Sequence, residues 1–339
     1  MTNNIPDIKG DRVLVCPLNW GLGHASRCVP IIKELAKRGK KVLVGAEGAS
    51  LVLLIKELQG VDIERFIEIN GISLRYSKGN SQTWAVVKRL PGWLGKITDE
   101  HKEIEKIVEE RGIDTVISDN RFGAWCKKAH SIYITHQVMI KAPKGFRWVE
   151  PIIRWIHGRI IRKYDECWIP DHEQDGISGD LSHQHKLPGN CKFIGTLSRL
   201  VDIEPYVISP DEQADTVAII SGPEPQRSIF ENDVINSQKN RDEKTLIIRG
   251  LPKNSEIETD GRITLAPHMD AATMKAQLLG AKRIICRSGY STMMDLDAIG
   301  VSAEICPTPG QREQEYLAEY LTEKKTHRRW EKPKTDSRN

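Results

Sequence analysis

The chain has 339 residues, 39% hydrophobic and 28% charged, enough for two domains, or one large one, with packed cores. It contains no apolar run of the roughly eighteen residues a spanning helix needs, and its start, MTNNIPDIKGDRVLV, lacks the features of a secretion signal. The net charge of +4 hides an asymmetry: residues 1–200 carry 31 Lys and Arg against 23 Asp and Glu, and the remainder 19 against 23.

Short apolar runs alternate with helical segments along the whole chain, the βαβα pattern of parallel, doubly wound sheets. Residues 12–17 (RVLVCP) read as a buried strand and 25–38 as an amphipathic helix. Between them lies NWGLGHASR, with Gly21, Gly23, His24 and Arg27. The two glycines permit a tight turn and close approach of a ligand. His24 opens the helix, where a neutral imidazole can take a proton from an attacking hydroxyl; the alternative is a residue that merely belongs to the helix cap. Strands are expected at 41–45 and 63–69, helices at 50–58 and 98–111. The next strand, 115–118, feeds SDNRFG, where Asp119 is placed to orient His24, to act as the base itself, or to cap a turn. Strand 131–135 runs into THQ, so His136 and Gln137 are placed to meet an acceptor, or the histidine is purely structural, and 166–170 is the last strand of this half. Residues 141–163 carry seven basic side chains and one acidic, interleaved with Trp148, Ile152, Trp155 and Ile156. A basic amphipathic helix with Trp reads either as membrane-surface binding or as a helix packed on its own domain. Trp84, Leu90, Trp93 and Leu94, near Lys88 and Arg89, are positioned to extend the patch. The interleaved aromatics and glycines of an RNA-binding surface are missing, so nucleic acid is not expected as a partner.

An acidic segment with Pro205 and Pro210, 201–215, reads as a linker. The expected organisation is an N-terminal acceptor-side domain at 1–205, a nucleotide-sugar-binding domain at 206–325 and a basic tail at 326–339. Strands at 216–220, 245–249, 283–286 and 303–306 alternate with helices near 226–236, 270–279, 292–299 and 313–321. SGPEPQR after the first of these strands offers Ser221, Gly222 and Arg227 to a phosphate, or forms a rigid turn in which proline starts a helix. The loop after Pro267 carries His268 and Met269. CRSGYSTMMDLD then places Arg287, Ser288, Gly289, Ser291 and Thr292 at the start of a helix, whose free N–H groups and dipole suit a diphosphate. Asp295, a turn further on, can accept from sugar hydroxyls or close a capping box with Thr292. Gln311, Glu313 and Gln314 open the last helix with amide and carboxylate groups. Together these suit an anionic, polyhydroxylated ligand such as a nucleotide-sugar. No His, Cys or carboxylate cluster has metal-ligand spacing. The seven cysteines are scattered without a CxxC pair, as in a reducing, cytoplasmic compartment.

CRSGYSTMMDLDAIG followed by CPTPGQREQEYLAEYL resembles the C-terminal signature of glycosyltransferase family 28, and GLGHASRCVPIIKELAKRGKKV resembles that family's N-terminal loop and first helix. The family includes the N-acetylglucosaminyltransferase of peptidoglycan lipid intermediates, and the chain looks closest to a separate bacterial branch. The resemblance implies the glycosyltransferase B fold, two Rossmann-like domains facing across a cleft. It implies an inverting, metal-independent hexosyl transfer without a cofactor, from a nucleotide-diphosphate sugar, expected to be UDP-linked as in UDP-N-acetylglucosamine. By position, His24 matches the N-domain loop histidine, Ser288 and Gly289 the diphosphate turn, and Asp295 the ribose-binding glutamate. Gln314, flanked by Glu313, matches a glutamine reading donor-sugar hydroxyls, and His268 and Met269 fall in the base-contacting loop. The acceptor is expected to be lipid-linked or at a membrane surface, met through the basic 141–163 region by a protein peripheral on the inner membrane face. A nucleotide-sugar 2-epimerase, which uses the same fold, and a non-catalytic sugar-nucleotide-binding protein are the alternatives.

Overall fold

The computed structural model describes residues 3–69, 82–142 and 145–331, with 82–94 as backbone only. The first sheet is built from β1 (Arg12–Pro17), α1 (Leu22–Lys37), β2 (Lys41–Ala46), α2 (Gly48–Glu57), β3 (Arg65–Glu68), α3 (Gln82–Arg111), β4 (Thr115–Asp119), β5 (His130–Ile134), α4 (Glu150–Ile161), β6 (Glu166–Ile169), α5 (Asp180–His183) and β7 (Cys191–Phe193). Its seven strands run in the order β3-β2-β1-β4-β5-β6-β7, and every pairing is parallel. Strands covered by helices on both faces must be apolar throughout. RVLVCP and KVLVGA comply: every residue from Val13 to Pro17 and from Val42 to Ala46 is buried.

The second sheet follows with β8 (Thr216–Ile219), α6 (Gln226–Gln238), β9 (Thr245–Ile248), β10 (Glu258–Asp260), β11 (Ile263–Ala266), α7 (Ala271–Gly280), β12 (Arg283–Arg287), α8 (Tyr290–Ile299), β13 (Glu304–Cys306), α9 (Arg312–Glu323) and β14 (Arg328–Arg329). The order is β10-β11-β9-β8-β12-β13-β14, parallel except where β10 pairs antiparallel with β11. In each sheet the strand order reverses once at the centre, between β1 and β4 and between β8 and β12. Open α/β sheets bind ligands outside the carboxyl ends of the strands at such switch points. The loops that matter therefore follow β1, β4, β8 and β12.

The segment expected as a helix at 98–111 is the end of the longer α3, and short elements such as α5, β10 and β14 were not anticipated. The side chains of Trp84, Lys88, Arg89, Leu90, Trp93 and Leu94, and the tail from residue 332, lie outside the described residues. Five cysteines are buried and Cys191 and Cys306 are half-buried, none in a disulfide. Among the described residues no helix is long and apolar enough to cross a membrane.

Candidate active site

A cleft of about 510 Å³ is lined by the loops at the carboxyl ends of both sheets. Its volume is in the range that holds a small-molecule substrate. Two helix N-termini meet there from opposite sides. Gly21, at φ +101°, turns the chain from β1 into α1, a conformation open to glycine and strained for other residues. Gly23 allows the close approach: a Cβ there would lie 2.5 Å from Ser291 Oγ of α8. Neither N-terminus is closed by a side-chain cap, so the N–H groups of their first turns lack that partner.

His24 projects from the first turn of α1 with its side chain 15% exposed. Its Nδ1 lies 2.9 Å from Asp119 Oδ1, at the end of β4. Asp119 is fully buried and also accepts from Arg27 Nε on Oδ2 at 2.6 Å and from Arg27 Nη2 on Oδ1, the oxygen that His24 meets. Burial alone would raise the Asp119 carboxyl, but Arg27 and then His24 hold it far below the usual range, so it stays ionised. With Nδ1–H given to the Asp119 carboxylate, the free lone pair is left on Nε2 of a ring that lines the cleft. Arg27 Nη1 continues to His136 Nδ1 at 3.1 Å, and His136 Nε2 reaches Glu313 Oε1 at 2.9 Å, from one half of the molecule to the other. The His136 ring stacks on Tyr290, with centroids 3.9 Å apart.

On the far side, Gly289, Ser291 and Thr292 line the cleft at the start of α8. Gln314 has its amide oxygen fixed by the Thr308 N–H at 2.9 Å, which leaves its NH₂ group for a ligand. Asp295 is nine-tenths buried and accepts from Ser198 Oγ at 2.6 Å. Burial raises its carboxyl to about 6, against the opposing pull of Arg199. This overturns the capping-box alternative, because α8 starts at Tyr290 and its N-cap is Gly289. His268 lines the cleft 3.4 Å from Glu57 Oε1.

Several expected contacts are placed differently. Asp119, Met269, Arg287 and Ser288 do not line the cleft. Asp119 is sealed beneath His24, so it can orient the histidine but cannot touch a substrate. Ser288 turns inward and donates to the Gln314 carbonyl at 2.8 Å. Arg287 packs over Phe230 and donates to the Pro307 carbonyl. Met269 packs against the core of the second half. Arg227 borders the cleft, but its Nε and Nη1 donate to Glu224 and Glu231, both at 2.6 Å, rather than being free for phosphate. Gly21, Gly23, His136, Ser221, Gly222, Gln311 and Glu313 all border it. Asn19, Asn120, Arg199 and Tyr290 also line it without having been singled out; no local pattern marks them, because their partners are remote in sequence. Among the described residues no group of three or more His, Cys, Asp or Glu is gathered as a metal site.

No family model matches the chain. It is 24% identical over 338 residues, 92% of this chain and 83% of the relative, to a protein of Methanosarcina acetivorans described as an uncharacterized glycosyltransferase. Among solved structures it is similar to the kitacinnamycin glycotransferase (TM-score 0.64, 15% identity, 96% of this chain and 87% of that one). It is also similar to MurG of Acinetobacter baumannii (0.53, 13%, 96% and 87%) and to a putative UDP-N-acetylglucosamine 2-epimerase of Listeria monocytogenes (0.53, 12%, 94% and 90%). The two-sheet architecture is thus the glycosyltransferase B fold, as the sequence led us to expect.

Proposed function

We propose that the chain, a glycosyltransferase of the B-fold superfamily, moves a sugar with inversion from a nucleotide-diphosphate donor, UDP-linked, to a hydroxyl acceptor at a membrane surface. The observation that carries this reading is the His24–Asp119 pair on one wall, 2.9 Å apart, facing the uncapped N-terminus of α8 on the other. Asp119 and Arg27 fix the imidazole, and His24 Nε2 takes the proton from the acceptor hydroxyl as it attacks the anomeric carbon. The bond to the diphosphate breaks on the opposite face of the sugar. The departing charge is met by the N–H groups at the start of α8, with the Ser291 and Thr292 hydroxyls beside them. Glu313 and the Gln314 NH₂ hold donor-sugar hydroxyls, and Asp295 takes a ribose hydroxyl. This chemistry calls for no metal or cofactor.

The acceptor side points to anionic lipid. On α4 and the turn before it, Trp148 is 71% exposed and Trp155 57%, with Ile152 and Ile156 beside them. Arg147, Arg159, Arg162 and Lys163 are exposed around this face. An apolar, Trp-bearing stripe rimmed by cations suits the interface of an anionic bilayer. The protein would then work at the cytoplasmic face of a membrane.

The test is a nucleotide-sugar panel assayed with lipid extract as acceptor. His24→Ala should lower transfer by about a hundredfold or more, the scale of a lost general base, while donor still protects the protein against thermal unfolding. Full transfer by the variant would remove His24 from the mechanism. Conversion of the donor sugar without any acceptor would favour the epimerase, and binding without turnover against every acceptor a sensor.

A further inference from the structure

The chain of hydrogen bonds from Asp119 to Glu313 has a direction that its chemistry fixes. Arg27 has donors and no acceptor. Its Nη1 lies 3.1 Å from His136 Nδ1, so that nitrogen accepts, and His136 is neutral with its proton on Nε2. Nε2–H then donates to Glu313 Oε1 at 2.9 Å. Burial lowers the basicity of His136, against the pull of Glu313, in keeping with a neutral ring. Burial alone would raise the Glu313 carboxyl, but His136 holds it below the usual range, so it accepts as a carboxylate.

The same Arg27 stands at a fork beside the proposed base. Its Nη2 lies 3.0 Å from His24 Nδ1, nearly the distance from that atom to Asp119. If Nη2 donated to His24, Nδ1 would have to accept, and the proton would move to Nε2. His24 would then present a donor to the acceptor hydroxyl and lose its lone pair there. Nη2 carries two N–H groups, one of them on Asp119, and the imidazole is a base at Nε2 only while the other is kept off its Nδ1. His136, by holding Nη1, restrains the rotation that would move it.

We infer that His136 is a positioning residue that ties the donor-side carboxylate of Glu313 to the tautomer of His24, acting through Arg27. The inference rests on the catalytic reading above for its consequence and on geometry alone for its existence. Two substitutions separate it from packing. His136→Phe keeps a ring over Tyr290 and deletes both hydrogen bonds. His136→Gln loses the ring, but its amide supplies one donor and one acceptor spaced much as the two ring nitrogens are.

The relay predicts that His136→Phe lowers kcat by about tenfold or more, with a smaller change in donor KM, while His136→Gln stays within about threefold of the parent. A packing role predicts the reverse order, with Phe near wild type and Gln impaired, and that result overturns the inference. Nitrogen-15 NMR of the histidines in the full chain gives a reading independent of any substrate. The parent should show His136 as the Nε2–H tautomer and His24 as Nδ1–H, and His136→Phe should lose the His24 preference. A parent His136 carrying its proton on Nδ1 overturns the relay even if the enzyme transfers sugar. If no nucleotide-sugar is turned over, the catalytic reading fails and the tautomers alone decide the relay. Should the Phe variant not fold, the parent spectrum and the Gln variant still decide.

Discussion

Asp295 shows how a site residue can be at odds with stability. Its carboxyl sits nine-tenths buried with Ser198 Oγ as its donor, and burial raises it from 3.8 to about 6. The folded state therefore holds this proton more tightly than the unfolded chain does. The stabilisation is full below about pH 4 and is lost as pH rises towards about 6. Asp295→Asn keeps an acceptor for Ser198 and removes the buried charge. It should raise stability at pH 7.5 by about 1–3 kcal/mol and give no gain at pH 4, measured by urea unfolding at both values. An equal gain at both values would mean that charge burial is not the cause. The identity of Asp295 as a candidate was legible in the sequence, but its partner was not. Ser198 lies 97 positions away in a segment with no strong pattern. The same holds for Arg27, which lines the cleft as the motif around His24 suggested but turns its guanidinium onto Asp119, 92 positions away.

At the level of elements, period and composition placed most strands and helices, because a strand buried on both faces has to be apolar throughout. Where an element has two uses, the pattern alone leaves them open. α4 is the example: its sequence fits a helix packed within the domain as well as one facing lipid. In the structure one side of the helix packs within the domain and the other side is exposed. His157, Gly158 and Ile161 are buried, with His157 Nδ1 3.3 Å from the Val138 carbonyl. Ile152, Trp155 and Ile156 face outward. Because Trp148 and Trp155 are largely exposed, replacing both with Ser should change stability by no more than about 0.5 kcal/mol per site. The parent should co-sediment with phosphatidylglycerol vesicles at low salt and be released as salt rises, and the same double variant should lose that binding. Unchanged sedimentation would assign the patch to another partner, and a large drop in stability would mean that it packs within the fold.

At the scale of the whole molecule, the loop between β6 and α5 fastens the first half to the last helix of the second. The Asp180 N–H donates to Tyr316 Oη at 2.6 Å, Tyr320 Oη to the Gly176 carbonyl at 2.9 Å, and Lys324 Nζ to the Asp175 carbonyl at 3.0 Å. Gly179 makes this docking possible: it sits at φ +51°, and a Cβ there would lie 2.4 Å from Tyr316 Oη. Nothing in DHEQDGISGD announces a fastening loop, since its partners come from α9, more than 130 positions on. Tyr316→Phe combined with Tyr320→Phe keeps the stacked pair of rings, whose planes lie 10° apart, and deletes two of the three bonds. At about 1 kcal/mol net for each bond, the coupling between the halves should weaken by about 2 kcal/mol. Calorimetry should then show a broader transition in which the van't Hoff enthalpy falls below the calorimetric one, the mark of two halves unfolding less cooperatively. On the proposed function, a donor nucleotide-sugar bound in the cleft between the halves should restore the single sharp transition by mass action. A variant that melts in one sharp transition without ligand would place the coupling elsewhere, in the cleft contacts led by His136 and Glu313.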